Sequence, residues 1–294
     1  MTGWLDRPAA RRWSERAAAG SADTHPLAAE VGRRMAERLD YVKRVPARVL
    51  QVGCGAAGAG DLRGRYADAE IIVADGAESW VRRARAERPL GARARSIFGA
   101  ARERFVVADA DALPVKPGTI ALLWSNLALA WSPDVAATLC EWHRVLEVGG
   151  LLMFTTYGPD TLKELRVAFG DDVPHVHPFV DMHDIGDVLV AGGFADPVVD
   201  MEVITLTYTG LDRLAADLRA AGQRNAHAAR RRTLTGKDRW QRTAAAYSSL
   251  ARAGRIPATF EIVYGHAWKA TPRTVANGRS IIRIDRIGAA RKAG

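Results

Sequence analysis

Short apolar runs alternate with helix-patterned segments through the first half of the chain. Arg48-Val49-Leu50-Gln51-Val52 runs straight into glycines. Glu70-Ile71-Ile72-Val73-Ala74-Asp75 and Arg104-Phe105-Val106-Val107-Ala108-Asp109 each end in an acid. Thr119 to Asn126 and Gly150 to Thr156 are two further runs. Between them, Glu78 to Glu87 and Val135 to Leu146 carry helical spacing. Near-continuous apolar strands suit a sheet covered on both faces. Their alternation with helices predicts parallel strands joined by crossover helices.

The flanks have other rhythms. Leu27, Val31, Met35 and Leu39 recur at four-residue intervals, so a leader helix is expected before the first strand. After residue 180, Asp184 to Ala191 reads as a helix stopped by Gly192-Gly193. Val198 to Tyr208 and Phe260 to Trp268 read as two long strands, and residues 210–253 between them as Ala-rich, basic helix. The expected division is a helical leader (1–45), an α/β core (46–209 and 256–269), a basic helical insertion (210–255) and a basic, partly disordered tail (270–294). The core is then a seven-stranded, mostly parallel sheet with helices on both faces and a helical insertion between the last two strands.

Composition narrows the function. Of 294 residues, 48% are hydrophobic, enough for a large core, yet no apolar run approaches the roughly 20 residues of a membrane span. Charges stand early in the chain and no apolar stretch follows them, which argues against a secretory signal and for a cytoplasmic protein. Two cysteines, Cys54 and Cys140, provide neither a disulfide framework nor metal-ligand spacing. The net charge of +9 favours a polyanionic partner, though a general Arg-rich bias in composition reads the same way.

The chemistry gathers at strand ends. Small residues in Gly53-Cys54-Gly55 let a ligand lie against bare backbone. Ligands of open α/β sheets bind at the carboxyl ends of the strands, where the strand order reverses. Asp75 ends the second strand, where a carboxylate accepts hydrogen bonds from ribose hydroxyls. Asp109, in Asp109-Ala110-Asp111-Ala112-Leu113-Pro114, is placed to read an adenine.

On these residues the chain resembles the class I S-adenosylmethionine (SAM) methyltransferases, which are Rossmann-like. Ser125-Asn126-Leu127-Ala128-Leu129-Ala130-Trp131 and Pro257-Ala258-Thr259-Phe260-Glu261 are similar, more narrowly, to BioC-like enzymes, the malonyl-carrier-protein O-methyltransferases of biotin biosynthesis. Tyr157-Gly158-Pro159-Asp160-Thr161-Leu162 and His177-Pro178-Phe179 resemble that family too, and the likeness runs from about residue 12 to 269. The resemblance implies SAM as cofactor, held by Gln51, Gly53, Cys54, Gly55, Asp75, Gly76, Asp109, Ala110, Asp111, Asn126 and Trp131. It implies malonyl-acyl carrier protein or malonyl-CoA as partner, and no metal. Tyr157, His175 and His177 are the candidates for positioning the substrate, since a carboxylate is already ionised at neutral pH and needs no general base.

The chain also departs from the pattern. Gln51 stands where an acid usually precedes the glycines, Ala57 where a third glycine is usual (Gly58 follows one residue late), Ala121 where an Asp commonly starts the fourth strand, and Ser21 where an aromatic usually covers the cofactor. Losing one charged contact weakens binding by roughly 1–3 kcal/mol. A methyltransferase-fold protein with weak or no SAM binding, acting in assembly, therefore stays open as an alternative. So does a methyltransferase acting on another small acid or on RNA, although no aromatic platform for stacked bases is evident. Arg219, Arg224, Arg230, Arg231, Arg232, Lys237 and Arg239 crowd the insertion, and a basic cap of this kind would steer an acidic carrier protein.

Overall fold

The computed structural model describes residues 3–20, 25–55, 60–88 and 103–271. Ser21, Ala57, Gly58 and the tail from residue 272 onward lie outside the described residues. Seven strands form one sheet: β1 (Arg48–Val52), β2 (Glu70–Asp75), β3 (Glu103–Val107), β4 (Ile120–Ser125), β5 (Leu146–Tyr157), β6 (Phe194–Tyr208) and β7 (Ile256–Lys269). Their order is β3-β2-β1-β4-β5-β7-β6. Neighbours among β1 to β5 are parallel, and β7 is antiparallel to both β5 and β6. This is the seven-stranded, mostly parallel arrangement that the apolar runs predict.

Nine described helices pack around the sheet: α1 (Arg7–Ala18), α2 (Pro26–Arg38), α3 (Gly60–Arg65), α4 (Glu78–Ala86), α5 (Val135–Val145), α6 (Lys163–Phe169), α7 (Met182–Ala191), α8 (Leu211–Ala220) and α9 (Lys237–Ser248). Side chains alternate across each strand, so the core has two halves. Val49, Val73, Leu122 and Met153 face Leu27, Val31 and Met35 of α2, with Trp80 of α4 and Leu214 of α8. Leu50, Leu123, Leu152 and Phe154 face Leu139 and Trp142 of α5, with Ile185 and Leu189 of α7. None of the described helices is long and apolar enough to cross a membrane.

Helix starts follow their caps. Asp134 accepts a hydrogen bond from the Ala137 N–H (3.1 Å) and opens α5, and Asp181 accepts from the His183 N–H (2.8 Å) and opens α7. Such caps satisfy backbone donors that have no partner inside the helix.

The insertion differs from its expected form. Residues 210–253 are not one helical run: α8 and α9 are separated by irregular chain over 221–236. Gly222 has a positive φ of 74°, and part of the backbone there bonds the N-terminal segment. The Asp6 N–H donates to Ala226 O (2.8 Å), and the Ala228 N–H to Trp4 O (2.6 Å). Backbone groups paired with a distant segment are not available to a helix.

Candidate cofactor cleft and its roof

The sheet reverses its order between β1 and β4. A cleft of about 220 Å³ opens there, above the carboxyl ends of β1 to β4. Its floor is built from strand-end loops. Gly53 has a φ of 83°, and a Cβ on it would lie 2.5 Å from the Ala128 Cβ. Only glycine fits so close an approach between the β1 and β4 loops. Asp75 binds the same turn from the other side: its Oδ2 accepts from the Cys54 N–H (2.9 Å) and its Oδ1 from the Ala77 N–H (2.8 Å). Burial raises the Asp75 pKa, while these backbone N–H groups oppose the rise. Each carboxylate oxygen accepts one bond and keeps a second lone pair.

Asp109 and Asp111 lie in the loop after β3, and α5 fixes that loop. Trp142 Nε1 donates to Ala110 O (2.9 Å), and Glu141 accepts from the Leu113 N–H (2.7 Å). Asn126 follows β4. Its side chain donates to Ala28 O of α2 (2.9 Å) and accepts from Thr155 Oγ1 (2.7 Å). The Ser125-Asn126-Leu127 segment therefore ties α2 to the strand ends, with Leu127 at a φ of 59° beside it.

Most residues marked in the sequence meet here: Gly53, Gly55, Asp75, Gly76, Asp109, Ala110, Asp111, Asn126 and Trp131 all line the cleft. Gln51 and Cys54 stand behind its wall, 1% and 3% exposed. Gln51 Nε2 donates to Gly53 O (3.3 Å), so this side chain braces the turn. Ala121 is buried within β4.

The roof was not legible in the sequence. Leu5, Arg7, Arg11 and Ser14 descend from the α1 region, and Gly222 and Gln223 from the insertion. Arg7 pairs with Asp111 and reaches Asp109 at 3.4 Å. Arg11 Nε donates to Gly76 O (2.7 Å). The Glu15 carboxylate accepts from the Glu78 and Ser79 N–H groups (2.7 and 3.0 Å), capping α4. Arg7, Arg11 and Ser14 recur at i, i+4 and i+7, one helix face, and that spacing was the available signal. Trp80 also lines the cleft, hidden in sequence as an ordinary amphipathic position of α4.

The substrate-positioning candidates part company. His175 stacks on Phe169 (centroids 3.5 Å apart) and bonds Asp171 (2.8 Å). Tyr157 is 4% exposed, packed against Phe179 and Phe260, and burial pushes its hydroxyl pKa up. His177 is 6% exposed, and its Nε2 accepts from the Ala226 N–H (2.9 Å). Burial pushes its pKa down to about 3, so the ring is neutral.

The basic residues divide in the same way. Arg230 pairs with Asp6 (2.8 Å), Arg239 pairs with Asp171, and Arg224 lies over the Trp13 ring (3.8 Å). Arg219, Arg231, Arg232 and Lys237 are exposed, Arg232 with its guanidinium 3.7 Å from Asp6. No cluster of three or more potential metal ligands occurs among the described residues.

Comparison with known proteins agrees with this geometry. Residues 50–154 match the family model described as a methyltransferase domain. The fold matches that of the YcgJ protein of Bacillus subtilis at a TM-score of 0.55 and 14% identity, covering 82% of this chain and 100% of that one. A Rossmann-like sheet with this cleft, in a chain carrying that domain, defines a SAM-dependent methyltransferase. The malonyl-[acyl-carrier protein] O-methyltransferase of Laribacter hongkongensis is 48% identical over 287 residues, covering 96% of each chain. That of Gallionella capsiferriformans is 45% identical over 282 residues, covering 95% of this chain and 96% of its own. The chain belongs to the malonyl-[acyl-carrier protein] O-methyltransferase family.

Proposed function

We propose that this protein transfers a methyl group from SAM to the free carboxylate of a malonyl thioester carried by acyl carrier protein, with malonyl-CoA as a smaller form of the same acceptor, as a step of biotin synthesis. The observation that carries the reading is the cleft at the β1/β4 switch point, with Asp75 fixed at its floor. The lone pairs left on Asp75 suit two ribose hydroxyls. Asp109 and the Ala110 backbone suit an adenine edge, and Gly53 and Gly55 leave room for a chain lying on the β1 turn. When bound, SAM supplies an activated methyl group on a sulfonium.

The protein's own work is alignment and exclusion of water. Trp131 and the α1 roof close over the cleft, and Arg7, Arg11 and Glu15 fasten that roof to the floor. No general base is required, because carboxyl groups with ordinary pKa values near 4 are ionised at neutral pH. The exposed Arg219, Arg231, Arg232 and Lys237 favour approach of an acidic carrier.

Gln51 in place of an acid favours the second reading, a protein of the same fold that binds the cofactor weakly. Isothermal titration with S-adenosylhomocysteine separates the two. Micromolar affinity that is lost in Asp75→Ala supports the enzyme. No heat up to millimolar ligand, from folded protein, supports the second reading.

A further inference from the structure

Beside the cofactor cleft lies a second cavity of about 280 Å³, at the ends of β4 and β5. Trp4, Pro133, Phe179, Val180, Ile185 and Val188 make most of its wall apolar. Ser132 and Pro133 line both cavities. His177 lines neither cavity itself, but its ring packs against residues of both. Its ring centroid is 4.7 Å from that of Trp131, which lines the cofactor cleft. It is 4.9 Å from Trp4 and 5.9 Å from Phe179, which line the second cavity.

The tautomer of this ring follows from its one hydrogen bond. Nε2 accepts the Ala226 N–H, so it carries no hydrogen, and the proton of the neutral imidazole sits on Nδ1. The one hydrogen bond of the ring among the described residues is at Nε2, and Nδ1–H makes none there. Nδ1 is not among the fully enclosed side-chain atoms that lack a partner, so water or a ligand can reach it.

We infer that the acceptor's carboxyl end lies beside Trp4, Trp131 and Phe179 and that His177, as an Nδ1–H donor, orients it, with the thioester and its arm in the second cavity. The inference rests on the carboxyl-methylation reading above. In that reaction a carboxylate oxygen forms a bond to the methyl carbon while the bond from that carbon to sulfur breaks. The electron pair of the broken bond stays on sulfur, and no proton moves. A negative and a positive charge disappear together, so the transition state carries less charge than the reactants. Apolar walls that exclude water favour it. A fixed cation beside the carboxylate would stabilise the reactants more than the transition state, which lowers the rate. A neutral N–H donor orients the acceptor with less of that penalty. The cleft's own cations are already engaged, Arg7 with Asp111 and Arg11 with Gly76 O.

Two substitutions separate this role from a structural one. His177→Gln keeps an acceptor near the Nε2 position and loses the Nδ1 donor. His177→Asn places an amide N–H near Nδ1 and gives up the bond to Ala226. With malonyl-carrier protein as substrate, His177→Gln is expected to lose about 10- to 100-fold in kcat/KM, while affinity for S-adenosylhomocysteine stays within about twofold. His177→Asn is expected to recover part of that loss. Wild-type acceptor kinetics in His177→Gln, or recovery by Gln and not by Asn, overturns the inference alone. No turnover by wild-type protein that binds S-adenosylhomocysteine overturns the carboxyl-methylation reading with it. Imidazole nitrogen NMR of the wild-type protein tests the same point without a variant. An Nδ1-protonated ring whose signals move when malonyl-carrier protein and S-adenosylhomocysteine are added supports the inference. An Nε2-protonated ring, or signals that do not move, overturns it.

Discussion

The floor of the cleft and its roof are built on different principles. The floor is local: Gly53, Asp75, Asp109 and Asn126 each stand at or just beyond the carboxyl end of a strand, and the strand places them. The roof is assembled from chain segments far apart in sequence. Asp6 pairs with Arg230, 224 residues away, and Ala228 bonds Trp4. Arg224 covers Trp13, and a Cβ on Gly222 would lie 3.1 Å from the Ala17 Cβ. The floor has the rigidity of the sheet beneath it. The roof is held by ion pairs and a few backbone bonds, which are weaker and partly screened by salt. A cofactor must enter and leave between them, and the weaker side is the one suited to yield.

The sharpest way to break this contrast is to damage the floor at one atom pair. Asp75→Ala removes both carboxylate oxygens from the floor, and affinity for S-adenosylhomocysteine should fall about 100-fold or more in isothermal titration, about 2.7 kcal/mol. Next in size is Gly53→Ala. The added methyl would meet Ala128 at a positive φ, and a cost of about 1–3 kcal/mol is expected. Differential scanning calorimetry should read this as a lower Tm, together with weakened cofactor binding. A change in the roof should act otherwise. Arg230→Ala should leave cofactor affinity within about threefold while amide exchange quickens over residues 3–20 and 221–230, where bonds open with little free energy. Equal loss of binding in the floor and roof variants would erase the distinction.

Acidity offers a smaller and more graded test. The folded-state pKa of His177 is lowered to about 3 from an ordinary value near 6.5. Below the ordinary value the unfolded chain binds the proton and the folded ring does not. The contribution of the neutral ring is therefore complete above about pH 6.5 and is lost as pH falls from there toward about 3. His227, whose pKa is also lowered by burial, lies beside it and titrates in the same direction. The Tm of wild-type protein should fall more steeply across this window than that of His177→Gln. The least effect is expected on the surface: Arg219→Glu with Arg231→Glu should slow carrier-protein turnover several-fold at low salt, with the difference shrinking as salt rises.

What the sequence disclosed follows the same division. The five apolar runs located β1 to β5, and once those strands were placed, Gly53, Asp75 and Asp109 fell at one edge of the sheet by geometry. Asn126 was marked for the cofactor, yet its amide groups are engaged with Ala28 and Thr155, because a residue beside a ligand also has to hold the wall together. Arg7, Arg11 and Ser14 were invisible as site residues, since only tertiary contact turns that face of α1 toward the strands. The Arg-rich insertion read as basic helix, a cap for an acidic partner. Its middle is irregular, and Arg224, Arg230 and Arg239 are engaged with Trp13, Asp6 and Asp171. Composition gives the number of charges in a segment. It does not give which of them find partners from the other end of the chain.

The most direct measurement follows a labelled methyl group. Purified protein is incubated with malonyl-acyl carrier protein and SAM labelled in its methyl group, and the acyl group is then released and analysed. The label is expected in a base-labile ester on the malonyl carboxylate, formed by wild-type protein and not by Asp75→Ala. Folded protein that binds S-adenosylhomocysteine but leaves malonyl-acyl carrier protein unlabelled would contradict it.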